Sequence, residues 1–362
     1  MENNQKSLFE TLSNEVNRGL AGDNTGIPIG FKSLDRYISV RKRIYTLVFG
    51  ASGSGKSTLV QNAYILNPFD WWWKNKNTTK IKLKIVYFSM ERSKTYVTAK
   101  WLCRKIFLNE GVYIPLPKLM GWWDTKLSKD EHDLFLMYKP YFDNMETVVE
   151  VIDGVKSPKQ VLEWMVEWGD KNGKIEKISE FEDVYIPNDE NLITIVIGDH
   201  QSLIKRESGQ TKKDAIDKLS GHYQFGRDFY GFSPVLVAQM NRELGNIGWQ
   251  KMESFEPMPE QIKDSGTSYE DSDVCISLFD PVKFKTSAPT RHNLDKLQNM
   301  QTGAKYYRSV KIHKNTWGED DIRKGMAFLG SVGHFEELPK FDEMTEEDYK
   351  AVINHSYFLR RK

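Results

Sequence analysis

The 362-residue chain is 39% hydrophobic and 28% charged, a balance that supports a buried core and excludes global disorder. Its formal net charge of +1 excludes a strong global basic field, so any nucleic-acid contact must come from local patches. Two cysteines, Cys103 and Cys275, exclude a disulfide framework or zinc spacing and fit a reducing cytoplasm; no apolar run approaches membrane-spanning length, and the opening Met-Glu-Asn-Asn-Gln-Lys is no signal peptide.

Leu8, Leu12, Val16 and Leu20 form an i, i+4 stripe that predicts an amphipathic helix from about Gln5 to Leu20, broken by Gly22–Gly26. Such a helix cannot bury its stripe alone; it packs on its own domain or docks on a neighbouring subunit. After Gly30-Phe31-Lys-Ser-Leu34-Asp35 comes a buried-strand signal, Tyr45–Phe49, then Gly50-Ala-Ser-Gly-Ser-Gly-Lys-Ser57. This is the Gly-x-x-x-x-Gly-Lys-Ser phosphate loop in its strand–loop–helix setting. Glycines let backbone N–H groups turn inward onto phosphate oxygens, and the helix N-terminus adds its positive end. Gly50, Ser52, Gly53, Gly55, Lys56, Ser57 and Thr58 make up the phosphate-binding set. Lys56 serves the β- and γ-phosphates and Ser57 a Mg²⁺ ion, which makes ATP and Mg²⁺ the expected ligands. A helix from Thr58 to Leu66 is expected to end before Pro68. In the segment beyond, Trp71, Trp72 and Trp73 could stack on bases, although adjacent tryptophans more often pack in a flap or interface.

A second strand, Lys84–Ser89, leads to Glu91. On a strand taken to adjoin the phosphate-loop strand, this carboxylate would orient the attacking water. Helices are expected over Ser93–Leu108, Ser128–Asn144 and Ser157–Lys171, a strand over Thr147–Asp153, and an acidic insertion over Asn172–Asn191. Leu192–Gly198 is an apolar run ending in Asp199, the Walker B pattern in which the carboxylate holds Mg²⁺. Lys205, Arg206, Lys212 and Lys213 follow in a basic stretch, at the sheet edge where open α/β folds bind ligands. After helix Ala215–Tyr230, the strand Ser233–Ala238 ends in Gln239-Met-Asn-Arg242, where Gln239 can sense the γ-phosphate. The loop Glu243–Met258, with Lys251, is a candidate nucleic-acid contact together with Arg242. A further strand spans Asp273–Leu278, a polar insertion about 281–305, and a strand Tyr306–Lys311 with Lys311, His313 and Lys314 at its end. A strand pair lies within Arg323–His334, and a peripheral helix and tail follow Met344. The pattern is that of an α/β fold with a mostly parallel, twisted sheet flanked by helices.

These motifs, in this order, resemble the motor domain of replicative DNA helicases of the DnaB type, including the helicase halves of phage primase–helicases. Gly30-Phe31-x-x-Leu34-Asp35 is similar to that family's Thr-Gly-Phe-x-x-Leu-Asp element, and Phe88-Ser89-Met90-Glu91 to its Ser-Leu-Glu-Met. Asp199-His200 resembles its Asp-His Walker B variant, Ala238–Arg242 its Ser-Gln-Leu-Asn-Arg, and Asp264-Ser265-Gly266 with Glu270–Val274 its Glu-Ser-Gly stretch. The resemblance implies a RecA-like motor over residues 25–338, a linker helix over 1–24 and a tail over 339–362, with insertions at about 67–82, 172–191 and 281–305. It implies Glu91 as catalytic base, with Lys56, Asp199 and Gln239 completing the catalytic set. It also implies a hexameric ring on single-stranded DNA, primase or other replisome partners, and, for a phage-encoded protein, the cytoplasm of a bacterial host. The chain departs from the family at one motif. The family's Lys-x-Arg-x-Gly, whose Arg enters the next subunit's ATP site, reads Lys314-Asn-Thr316-Trp-Gly318 here, so Arg308, Lys311 or Lys314 are the candidate trans-acting cations. The alternatives are a RecA/RadA-like recombinase filament and a non-motor, ATP-gated assembly or loading factor.

Overall fold

The computed structural model describes residues 7–155, 157–180, 182–241, 256–263 and 266–360. The first element, α1 (Leu8–Leu20), starts at Ser7, whose hydroxyl accepts from the Glu10 N–H while the Glu10 carboxylate accepts from the Ser7 N–H, a capping box. Its apolar stripe finds no cover within the chain: Leu8, Phe9 and Leu20 are 92%, 76% and 83% exposed. The lead-in that follows is structural. Ile29, Phe31 and Leu34 are buried, the Asp35 carboxylate accepts from the Ile29 and Gly30 N–H groups, and burial pushes the Asp35 pKa up to about 6.

The strands in chain order are β1 (Thr46–Gly50), β2 (Lys82–Ser89), β3 (Val149–Ile152), β4 (Gly173–Lys177), β5 (Asp183–Pro187), β6 (Leu192–Asp199), β7 (Ser233–Gln239), β8 (Val274–Phe279), β9 (Gln298–Asn299), β10 (Ala304–Lys305), β11 (Tyr307–Asn315), β12 (Ile322–Leu329) and β13 (His334–Glu337). One nine-stranded sheet forms the core, in the order β13-β12-β11-β8-β1-β7-β6-β2-β3. The six strands from β8 to β3 are parallel, and β11, β12 and β13 add antiparallel. Both faces of the parallel part are covered, which is why its strands read as continuous apolar runs. Val48, Ile85, Tyr87, Ile195 and Val237 enter one core; Leu47, Phe49, Val86, Val196 and Leu236 enter the other. The hairpins β4–β5 and β9–β10 stand apart from the sheet, within two of the stretches read as insertions.

Around the sheet lie α2 (Lys56–Gln61), α3 (Asn67–Asn75), α4 (Lys94–Glu110), α5 (Leu116–Met120), α6 (Lys129–Met137), α7 (Lys139–Glu146), α8 (Pro158–Asn172), α9 (Lys212–Asp228), α10 (Thr267–Asp271) and α11 (Glu346–Ile353).

Four expectations change. The helix after the phosphate loop does not stop before Pro68: a π turn, Asn62–Leu66, joins α2 to α3, and Asn67 N–H bonds back five residues to Asn62 O. The widened turn accommodates a proline that has no N–H to give. The three tryptophans therefore sit on α3, half-buried against the first core, with Trp72 Nε1 donating to Ile81 O at 3.0 Å. The stretch Ser128–Asn144 is two helices, α6 and α7, meeting at Tyr138 ahead of Pro140. Strand β11 runs on to Asn315, so Lys311 and Lys314 lie within it rather than at its end. The C-terminal segment is packed rather than peripheral: Val352, Tyr357 and Phe358 share a third core with Tyr307, Leu329 and Phe107.

The two ends of the chain should respond oppositely to loss of an aromatic ring. Phe358→Ala should cost about 3–5 kcal/mol in urea unfolding, and Phe9→Ser less than about 0.5 kcal/mol at concentrations where the chain is monomeric. Equal effects would contradict the packing of both ends.

Candidate active site

Four parallel strands end at one place. The phosphate loop follows β1, Asp199 ends β6, Gln239 ends β7, and Glu91 lies just past β2. This is the carboxyl edge of the sheet, where open α/β folds place ligands. Strand β2 does not adjoin β1, as the sequence reading assumed: β7 and β6 stand between them. Glu91 reaches the site from three strands away.

The loop is held tightly from behind. A Cβ on Gly50 would come within 2.3 Å of the Leu278 carbonyl, so only glycine lets β1 turn there. Gly55, at φ +105°, opens α2 in a backbone conformation that glycine adopts without strain. Lys56 is buried and its ammonium donates to Ala51 O at 2.9 Å. Burial lowers its pKa to about 8, opposed by the carboxylates of Asp199 and Glu91 and reinforced by the nearby Lys283 cation.

The Asp199 carboxylate is wholly buried. Ser57 Oγ donates to one oxygen at 3.0 Å and Tyr87 OH to the other at 2.5 Å. Behind Tyr87 stands a relay: Gln61 Nε2 donates to Tyr87 OH at 2.9 Å, and Trp101 Nε1 to Gln61 Oε1 at 3.1 Å. Burial raises the Asp199 pKa, while the Tyr87 and Ser57 hydrogen bonds and the Lys56 charge hold it down. Ser57 Oγ and the Asp199 carboxylate together present hard oxygen donors suited to Mg²⁺.

His200 lies beside them, buried, with Nε2 3.0 Å from Gln239 Nε2. Burial first, then the Lys56 cation, lowers its pKa to about 4, so the imidazole is neutral at pH 7. Gln239 is bound into the same frame, since Met240 N–H donates to Gly50 O and Lys263 N–H to Gln239 O. The Glu91 side chain is 49% exposed, with Arg92 3.7 Å away.

The basic candidates separate. Lys205 and Arg206 are exposed on the segment after β6. Lys212 instead donates to Ile204 O, and Lys213 pairs with Asp217 at 2.9 Å. Arg242, Lys251 and Asp264-Ser265 lie outside the described residues, as does most of the loop Glu243–Met258. The three cations considered for a trans role are engaged within their own chain. Arg308 is buried, paired with Asp280 at 3.2 Å, and its Nε donates to Ser54 O at 2.8 Å. Lys311 is buried against Glu256 and Asp321, and the Lys314 ammonium donates to the carbonyls of Tyr269 and Glu270. Thr316 donates to Asp273 O.

Sequence reasoning missed Tyr87, Gln61, Trp101 and the cis role of Arg308. Tyr87 left a signal: a tyrosine inside a doubly covered strand must find a partner for its hydroxyl. The others depend on contacts between distant segments.

Because its folded pKa lies below 10.5, Lys56 binds fewer protons in the native than in the unfolded chain between pH 8 and 10.5. Its burden on stability is therefore full below pH 8 and fades as pH rises. Lys56→Met should stabilise the nucleotide-free protein by roughly 1–3 kcal/mol at pH 7. That advantage should shrink toward pH 10 when both proteins are unfolded in urea across the range. A pH-independent difference would show that burial of the ammonium is not its source.

No family model matches the sequence, and no curated protein does. Solved structures do match in fold. The chain superposes on a DnaB-like replicative helicase, solved in a study of its interactions with primase, with a TM-score of 0.65 at 17% identity, over 92% of this chain and 68% of that one. It superposes on the ATPase domain of a phage DnaB-like protein with a TM-score of 0.66 at 16% identity, over 93% of this chain and all (100%) of that one. With its mostly parallel nine-stranded sheet and a phosphate loop at the carboxyl edge, the chain has the RecA-like fold of these helicase ATPase domains.

Proposed function

We propose that this chain is the ATP-driven motor of a replicative DNA helicase, forming a ring, a hexamer in the DnaB pattern, that moves on single-stranded DNA. The observation that carries the reading is the convergence of the phosphate loop, Asp199, Glu91 and Gln239 at one sheet edge in a fold shared with helicase ATPase domains. In this reading Gly50, Ser52, Gly53, Gly55, Lys56, Ser57 and Thr58 bind ATP. Ser57 and Asp199 hold the Mg²⁺ ion, which neutralises developing phosphate charge when bound. Glu91, reaching in from β2, activates the water. Gln239, hydrogen-bonded to His200 and tied to Gly50, couples the nucleotide state to the loops that follow β6 and β7. Lys205 and Arg206 would meet the DNA backbone there. A primase-type protein is a fitting partner, since one structural neighbour was solved in that context.

Assembly rests on a second feature. The exposed stripe of α1 needs cover, and an apolar groove of about 700 Å³, lined by Leu102, Leu119, Leu127, Phe135, Leu136 and Phe142, offers it on another copy. One observation favours the rival reading of an ATP-gated loading factor: Arg308, Lys311 and Lys314 are engaged in cis and Thr316 is uncharged. Strand displacement on a forked duplex separates the two, because a loading factor would hydrolyse ATP without unwinding.

Lys56→Ala should abolish ATP turnover with the far-UV spectrum unchanged; undiminished turnover would remove the site assignment. Single-stranded DNA should stimulate turnover, and the stimulation should fall steeply with salt as counterions compete for phosphate. Leu12→Asp should abolish rings imaged by electron microscopy with an ATP analogue and single-stranded DNA, and rings that persist would exclude α1 from the interface.

A further inference from the structure

The turn after β8 carries a cation that neither the motif reading nor the proposed function uses. Asp280 is buried there, paired with Arg308, and its carboxylate accepts from the Lys283 N–H at 3.2 Å. Phe284 packs on Phe279 with ring centroids 5.5 Å apart, and its N–H donates to Pro281 O. The backbone of Lys283 is thus anchored on both sides, while its side chain stands exposed at the mouth of the phosphate loop. The ammonium donates to Ser52 O at 2.5 Å and lies 3.6 Å from where a Cβ on Gly53 would sit. Arg308 grips the next carbonyl but one, Ser54 O, from behind. The Asp280–Arg308 pair therefore locks the loop, and Lys283 covers it.

A lysine bound to a lone carbonyl at a phosphate-binding loop holds a weak partner beside a strong prospective one, because a charge-assisted bond to phosphate exceeds a bond to a neutral carbonyl. Lys56 feels the Lys283 charge, which places the second ammonium on the side that Lys56 serves. Among the described residues, the cations read from the motif for a trans role are all engaged elsewhere in the chain. We propose that Lys283 is a cis phosphate clamp: on nucleotide binding its ammonium turns from Ser52 O to the γ-phosphate and supplies, from the same chain, positive charge that the Lys-x-Arg-x-Gly position lacks.

This inference rests on the reading of the loop as an ATP site, and the test keeps the two apart. Binding of a fluorescent non-hydrolysable ATP analogue and of fluorescent ADP is titrated with wild type, Lys283→Ala and Lys283→Arg. Lys283→Ala should weaken the analogue about tenfold and ADP by less than about twofold, and Lys283→Arg should restore the analogue to near wild-type affinity. Unchanged analogue affinity in Lys283→Ala overturns the clamp, as does an equal loss for analogue and ADP. An arginine variant as weak as the alanine one overturns it too. A wild-type chain that binds neither nucleotide overturns instead the reading of the loop.

Discussion

The rest of the site depends on one buried charge. Taking a carboxylate out of water costs several kcal/mol unless hydrogen bonds and an opposite charge offset it. Around Asp199 they come from separate parts of the chain: Ser57 from α2, Tyr87 from β2 and the Lys56 ammonium from the phosphate loop. Satisfying that one group therefore fixes the distance from β6 to α2 and to β2. The Trp101–Gln61–Tyr87 relay extends the constraint to α4. A site that must receive a divalent cation is held ready by the same bonds the cation would compete with, Ser57 above all.

The glycines and cations of the loop show a second constraint. A phosphate-binding loop points N–H groups inward, so its carbonyls face outward and need donors of their own. Here these are Lys56 on Ala51, Lys283 on Ser52 and Arg308 on Ser54. Arg308, on an antiparallel strand far along the chain, thus belongs to the loop's scaffold. Its partner Asp280 keeps the guanidinium buried without leaving it uncompensated.

What could be read from the sequence was what is local. The capping boxes at Ser157 and Thr211, the doubly buried runs of β1, β6 and β7, and the phosphate loop all state their structure within a few residues. What escaped depends on partners distant in sequence. Nothing in Lys84–Ser89 says that two strands intervene between β2 and β1, because strand order is set by crossovers. Pro68 reads as a helix stop, and only the π turn before it reverses that. Arg308, Lys311 and Lys314 read as free cations because Asp280, Glu256 and the Glu270 carbonyl reach them only once the sheet is formed. The fold was thus more legible than the electrostatics of its edge.

The α1 helix has thirteen residues, its own capping box and no tertiary cover for its apolar face. A helix of that length is marginal in water, since nucleation costs more than a few turns return. Its helix–coil equilibrium is then set by whatever covers the stripe. If that is a second copy, the helicity of α1 becomes a function of protein concentration: dilution would melt it before touching the sheet. Circular dichroism would then show a small, concentration-dependent loss of helix, far below the cooperative unfolding of the core.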